Sequence, residues 1–473
     1  MNPFSRRRFI RTSFASAVGL GLTSPLVRAS ASPSLFGGLG NSILGANDKV
    51  RFGIVGSGGR GQSLMKTFLE NEKVDCAVIC DVDDAMIAEA LKLVEEKREN
   101  KPDVVKDFRR VVDRDDVDVV VVGTPDHWHA LPTIYACEAG KDVYVEKPLA
   151  TSIGEGRAMV DCARKYDRVV QMGTQWKSGS HFKDAIAYVH SGKLGKIRQV
   201  RCWAYLTWIK GPGNPQDCAP PEGVDYDLWL GPAPKVPFNP ARFHFTFRWF
   251  WDYAGGLMTD WGVHLINLAM WGMDFPQPLT IASTGGRYMM TDLMETPDTQ
   301  QAIYEFPDFA LIWEHQMQGG YGPHNREHGV AFYGKEGTLV LDANGWEVVP
   351  EKDKSLEPEK HEGDSDTAQT QHVENFLDCI RTRERPVEDV ELGHRMSAVA
   401  HLGNLAFRTN STIQWDPEKE QVKGNWEANR LVTQSYRSPW NLPSLAKASP
   451  PAVKPKADKH RPLWQWQRHG RSR

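Results

Sequence analysis

An apolar run from Val50 to Val55 leads into Gly56-Ser57-Gly58-Gly59-Arg60-Gly61, and a second apolar run, Val74 to Cys80, ends on Asp81. Strand, GxGxxG turn, helix and a strand-end acid, at this spacing, are the parts of a dinucleotide site. Gly56 permits the tight turn, Gly58 lets the backbone approach a pyrophosphate, and Gly61 lets the following helix, expected over Gln62 to Glu70, pack closely on the strand. That helix turns its N-terminus, with Gly59 and Arg60, toward the phosphates. Asp81 would accept hydrogen bonds from ribose hydroxyls. A 2'-phosphate there would face a carboxylate, so NAD is expected in preference to NADP.

Further groups supply acid/base chemistry. Glu146-Lys147-Pro148 closes the strand Val143-Tyr144-Val145. Ligands of open α/β sheets bind beyond the carboxyl ends of the strands, so Lys147 would emerge beside the nicotinamide. Alone it reads as a solvated lysine in a turn; Pro148, which fixes φ, points instead to a rigid and even cis connection. Farther on, Gly255-Gly256 precede Leu257-Met258-Thr259-Asp260-Trp261-Gly262-Val263-His264. Asp260 and His264, four apart, are expected on one face of a helix that starts after the glycines. A histidine beside a carboxylate is a tunable proton acceptor near neutral pH. A surface ion pair or a metal pair would use the same spacing, but with no third obvious His or Cys, no metal is expected.

Thr124-Pro125-Asp126-His127-Trp128-His129 follows the β-branched strand Val117 to Val122 and should pass near the nicotinamide ribose. Asp126 touches the cofactor, caps the helix that begins near His129, or does both. The aromatic run from Arg242 to Tyr253, with Arg248 and Trp251 inside it, suits a sugar face or a core equally well.

Elements that could position these groups alternate regularly. After Asp81 come helix Asp84 to Lys97, strand Val117 to Val122, helix Leu131 to Ala139, strand Asp142 to Glu146, helix Ile153 to Tyr166 and strand Val169 to Met172. This is the pattern of a doubly wound parallel sheet, placed at residues 48–173. Beyond Thr174 and a helix around His181 to Ser191, strands at Arg198–Thr207, Leu279–Tyr288, Thr299–Glu305, Ala310–Met317, Gly329–Tyr333 and Thr338–Leu341 follow without regular crossovers. They predict an α+β domain at 174–410 built on an open, largely antiparallel sheet. Leu356 to Ser365 reads as a charged loop. Gln369 to Thr382 and Leu392 to Thr409 read as amphipathic helices returning over the sheet or the first domain. Residues 411–445 read as an extension packed on the body and 446–473 as a disordered tail.

The chain has 473 residues and a formal net charge of −3, too long for one core. Residues 1–31 carry five arginines and no acid, which leaves −8 beyond Ala31; an acidic body argues against nucleic acid. Ser5-Arg6-Arg7-Arg8-Phe9-Ile10-Arg11, an apolar run and Ala29-Ser30-Ala31 form a twin-arginine export signal by pattern, joined by a linker at 32–47. The expected partner is the twin-arginine translocase and the expected location periplasmic, with no stable membrane span. The seven cysteines contain no CxxC; only Cys202 with Cys218 is a conceivable bridge.

The order GxGxxG, strand-end Asp81, TPDHWH, Glu146-Lys147-Pro148 and DxxxH closely resembles the Gfo/Idh/MocA family (glucose-fructose oxidoreductase, inositol dehydrogenase) over about Lys49 to Asn410. The resemblance implies an NAD(P)-dependent oxidoreductase of sugars, cyclitols or their derivatives, a homodimer or homotetramer, with an open sheet used for substrate and oligomer contacts. It implies that Lys147 binds the reacting hydroxyl, His264 is the acid/base and Asp260 orients substrate. Thr124, Pro125, Asp126, His129, Glu146 and Gln175 then fall on the cofactor side. Lys177, Arg242, Arg248 and Trp251, with Asp260 and His264, become candidate substrate contacts. Gln175 stands where many members carry Asn. One branch resembling this family is a glycosidase that uses NAD transiently; that branch lacks an intact EKP, whereas this chain keeps Lys147. A noncatalytic sugar-binding protein is the remaining alternative.

Overall fold

A computed structural model describes residues 49–443; the expected export signal, the linker and the tail at 446–473 lie outside them. The first domain starts with β1 (Val50–Val55), α1 (Gly59–Glu70), β2 (Val74–Cys80), α2 (Asp84–Lys97) and β3 (Asp103–Val105). It continues through β4 (Val119–Val122), α3 (Ala130–Glu138), β5 (Asp142–Val145), α4 (Ile153–Lys165) and β6 (Val170–Met172). The strands pair in parallel in the order β3-β2-β1-β4-β5-β6. Val119 to Val122 are fully buried, as a central strand covered on both faces requires. Strand order reverses between β1 and β4, and a crevice opens there beyond their carboxyl ends.

The second domain carries α5 (Ser180–His190), β7 (Gln199–Leu206), α6 (Gly256–Asp260), α7 (Gly262–Gly272), β8 (Thr280–Gly286), β9 (Thr299–Glu305) and β10 (Ala310–Met317). Next come β11 (His328–Tyr333), β12 (Gly337–Asp342), β13 (Gly345–Pro350) and β14 (Glu359–Glu362). The described chain ends through α8 (Thr367–Thr382), α9 (Val390–Arg408), β15 (Ile413–Asp416) and β16 (Gln421–Val422). Ten strands form one sheet, β14-β13-β12-β11-β7-β10-β9-β8-β15-β16. Only β7 and β10 pair in parallel within it. The expected open, largely antiparallel sheet is present.

The late helices tie the domains together. Val373, Phe376, Leu377 and Ile380 of α8 join the first domain's core around Phe68 and Tyr144, with the Phe68 and Phe376 rings edge to face at 6.3 Å. α9 packs on both α4 and β8. Between the two helices, the Met172 amide donates to the Glu388 carbonyl, which extends the edge of the parallel sheet.

Some expectations need correction. Within the charged stretch 356–365, residues 359–362 pair with β13, so backbone hydrogen bonds outweigh the charge there. β3, β13, β15 and β16 carry too short or too mixed an apolar pattern to be read from sequence. Cys202 is buried, Cys218 exposed, and neither is bridged.

Candidate active site

The glycine turn fits a close backbone approach. Gly56 has φ +85, and a Cβ there would strike the Thr124 amide nitrogen and the Gly123 carbonyl carbon; a Cβ on Gly61 would overlap the Gly56 carbonyl oxygen. α1 opens at Gly59 with Gly58 as its N-cap and no side-chain cap, so its first amides are left for an anion. The Asp81 carboxylate accepts from the Ser57 amide at 2.6 Å and the Asp83 amide at 3.1 Å. Burial nonetheless raises its pKa.

Gly56, Gly58, Gly59, Arg60, Asp81, Thr124, Pro125, Asp126, Glu146, Lys147, Gln175, Arg248, Asp260 and His264 line a single cavity of about 950 Å3. A concave site of this size with few polar groups converging on it is the usual form of a cofactor and substrate pocket. The Thr124 Oγ1, Gln175 Oε1 and His264 Nδ1 atoms are buried without a hydrogen-bond partner among the described residues. Buried polar atoms normally find partners, and these side chains share the cavity wall with the glycine turn. The donor set therefore fits a dinucleotide: glycine amides for pyrophosphate, Asp81 for ribose, Thr124 and Gln175 toward the far ring.

At the other end of the cavity, Lys147 lies two residues beyond β5, and the Lys147–Pro148 peptide is cis. Its Nζ donates to Asp260 Oδ1 at 2.5 Å and to the Asp260 carbonyl at 3.0 Å. Arg248 Nε donates to Asp260 Oδ2 at 3.2 Å. Burial alone would raise the Asp260 carboxyl, but Lys147 and Arg248 together outweigh it and hold it well below the usual carboxylate range. His264 moves well down, through burial first and the Lys147 charge second. Both effects favour the neutral ring over the imidazolium.

The expected single helix is broken: α6 stops at Asp260 and α7 begins at Gly262, with Trp261 between them. Asp260 and His264 still line one cavity, but the carboxylate is engaged by Lys147 and Arg248, and no hydrogen bond joins it to His264. Asp260 positions the lysine rather than the imidazole. Behind them, Glu146 Oε1 takes Arg60 at 2.6 Å, and Arg60 also reaches Gln369 at 2.5 Å. This pair locks the glycine turn to the lysine turn and to α8.

Several sequence candidates sit elsewhere. His129 is buried under the site, bonded to the Pro148 carbonyl at 2.7 Å and the Thr124 carbonyl at 3.0 Å; it braces both turns without facing the cavity. Asp126 does not cap: neither the short 3-10 turn that it opens nor α3 has a side-chain cap. Lys177 pairs with Glu388 at 3.0 Å in the interior, and its ammonium lies 4.5 Å from the Phe275 ring centre. Arg242 stacks over Phe250, and Trp251 under Arg408. None of Lys177, Arg242 and Trp251 lines the cavity. Sequence reasoning missed Trp176, Trp208 and Trp261, which wall the reacting end. Trp176 lies 5.0 Å from the His264 ring and 6.1 Å from Trp261. Trp176 stands beside Gln175 and Trp261 inside the DxxxH stretch, which was the available signal for those two; Trp208 had none.

Comparison with known proteins accords with this geometry. The model of the oxidoreductase family with an NAD-binding Rossmann fold matches residues 50–174, and that of the family's C-terminal alpha/beta domain matches 188–309 and 352–442. A glycosyl hydrolase family 109 protein of Saccharopolyspora erythraea is 33% identical over 41% of this chain and 44% of its own. An alpha-N-acetylgalactosaminidase of Shewanella oneidensis is 30% identical over 42% and 45%. The chain thus spans less than half the length of these curated relatives. Among solved structures, levoglucosan dehydrogenase with NADH and levoglucosan superposes with a TM-score of 0.61 at 17% identity, covering 77% of this chain and 99% of that one. The aldose-aldose oxidoreductase of Caulobacter crescentus does so with 0.60 at 21%, covering 77% and 99%. With both of its domains matched, the chain belongs to the Gfo/Idh/MocA family of NAD-binding oxidoreductases.

Proposed function

We propose that this protein moves hydride between NAD and a secondary hydroxyl of a sugar, cyclitol or glycoside, and that it does so after export by the twin-arginine route, as a homo-oligomer. The supporting observation is that Lys147, Asp260 and His264 open onto the same cavity as the glycine turn and Asp81. When bound, NAD supplies the hydride acceptor. Oxidising an alcohol carbon also requires the hydroxyl proton to leave. Lys147, fixed by Asp260, stabilises the developing alkoxide, and neutral His264 accepts the proton. Trp176, Trp208 and Trp261 offer aromatic faces to the CH faces of a sugar ring and exclude water. The carboxylate of Asp81 favours NAD over NADP.

A second reading, a glycosidase that oxidises and then reduces its substrate again, is favoured by the glycosidase names of the 30–33% identical relatives. The test is a panel of hexoses, cyclitols and their glycosides added to NAD-loaded protein, with NADH fluorescence and released aglycone followed together. Stoichiometric NADH supports the dehydrogenase, and aglycone without net NADH supports the glycosidase. Neither signal with any class would overturn both.

A further inference from the structure

We infer that residues 223–245 of the second domain form the outer wall of the adenosine half of the nucleotide site and latch the dinucleotide in place. The inference rests on the NAD reading above and adds how the cofactor is held. The segment returns to the first domain immediately beyond Asp81. The Asp225 amide donates to the Val82 carbonyl at 2.9 Å, and the Asp84 amide donates to the Gly223 carbonyl at 3.3 Å. Lys106 Nζ donates to that same Gly223 carbonyl at 2.8 Å. Asp83 and Val224 form an antiparallel bridge. Twenty residues on, His244 Nε2 meets Asp83 Oδ2 at 2.9 Å.

Every one of these contacts falls on the loops after β2 and β3, where an adenosine must lie once Asp81 holds its ribose. Val82, Lys106, His244 and Phe245 line the same cavity as Asp81, so first and second domain enclose that end between them. Two details show the closure is built in. Asp83 is 8% exposed at its side chain and also caps α2 through the Ala85 amide; its carboxylate is anchored before His244 arrives. His244 has φ +51, in the left-handed region that non-glycine residues adopt uncommonly. To release adenosine, the strap must give up a charge-assisted hydrogen bond and a bridge at once. A cofactor so enclosed leaves the site slowly.

The experiment uses the whole protein loaded with NADH, chased with excess NAD, with release followed by nicotinamide fluorescence. His244→Ala is expected to release NADH about tenfold faster, the scale of one lost hydrogen bond to a charged group. His244→Gln, which can still donate to Asp83, is expected to restore most of the difference. Reduced nicotinamide mononucleotide, lacking adenosine, should bind His244→Ala and the parent chain equally. Unchanged NADH release in His244→Ala would overturn the latch. Equal weakening of the mononucleotide would overturn it too, by showing a general loss of structure. Neither readout requires turnover, so failure of the proposed reaction leaves this test intact.

Discussion

The ammonium of Lys147 and the carboxylate of Asp260 meet at 2.5 Å across 113 residues of sequence. One group lies in the turn after β5 of the parallel sheet and the other ends α6 of the second domain, so the pair exists only when the two domains are docked. Its side chains are 16% and 17% exposed, sheltered enough for the interaction to outlast the screening that weakens surface pairs.

Asp260→Asn tests that pairing. The amide keeps the shape but leaves Lys147 and Arg248 facing each other without an anion, so the ammonium loses its fixed position. Turnover is expected to fall about 100-fold or more, and stability by about 1–3 kcal/mol. NADH affinity, set at the far end of the cavity, should change little. Steady-state kinetics, a fluorescence titration and a melting curve check the three statements separately.

Asp126 gives the protein a pH dependence. Its carboxyl lines the cavity, 8% exposed, and burial pushes its pKa up to about 8, with the nearby Asp260 charge adding and Lys147 opposing. The folded state therefore holds a proton that the unfolded state has lost above about pH 4. The stability associated with that proton is fully present near pH 4 and is lost as pH rises toward 8. Each tenfold of proton affinity corresponds to about 1.4 kcal/mol. Asp126→Asn cannot ionise, so the cofactor-free variant should match the parent near pH 4 and melt above it at pH 8. Parallel melting curves at both pH values would contradict the assignment.

Asp81→Ser addresses the choice of cofactor. With the carboxylate gone, two hydrogen bonds to ribose are weakened and the repulsion of a 2'-phosphate disappears. NAD affinity is expected to fall about tenfold while NADP affinity rises, each read by titration of protein fluorescence. A variant that still rejects NADP would place the discrimination elsewhere, with Lys106 the next residue to change.

The sequence was most legible where a backbone rule demands a residue type. Gly56 and Gly61 have no room for a Cβ, and Val119 to Val122 are buried on both faces; such positions announce themselves. The turn residues Lys147 and Asp126 were found because strand ends of open sheets face the ligand. What stayed hidden depends on long-range placement. Lys177 looked available for substrate beside Gln175, yet it is spent on Glu388, 211 residues away. The tryptophans at 176, 208 and 261 come from three separate elements, and no local period links them. The break between α6 and α7 was equally silent, since Asp260 and His264 have the spacing of a continuous helix.

His264→Ala addresses the proton itself. Burial and the Lys147 charge favour the neutral imidazole, and its Nδ1 has no partner among the described residues, so under the proposed reaction it is the group that takes the substrate's proton for the duration of the step. Removing it should cut kcat by about 100-fold to 10,000-fold, the usual worth of a positioned acid/base, while NADH still binds within a factor of about two. The remaining activity should rise with pH, because hydroxide then takes over the missing base. Full turnover in the variant, or loss of NADH binding with it, would move the proton acceptor away from His264 and leave Asp126, a buried carboxyl that also feels the Lys147 charge, as the group to test.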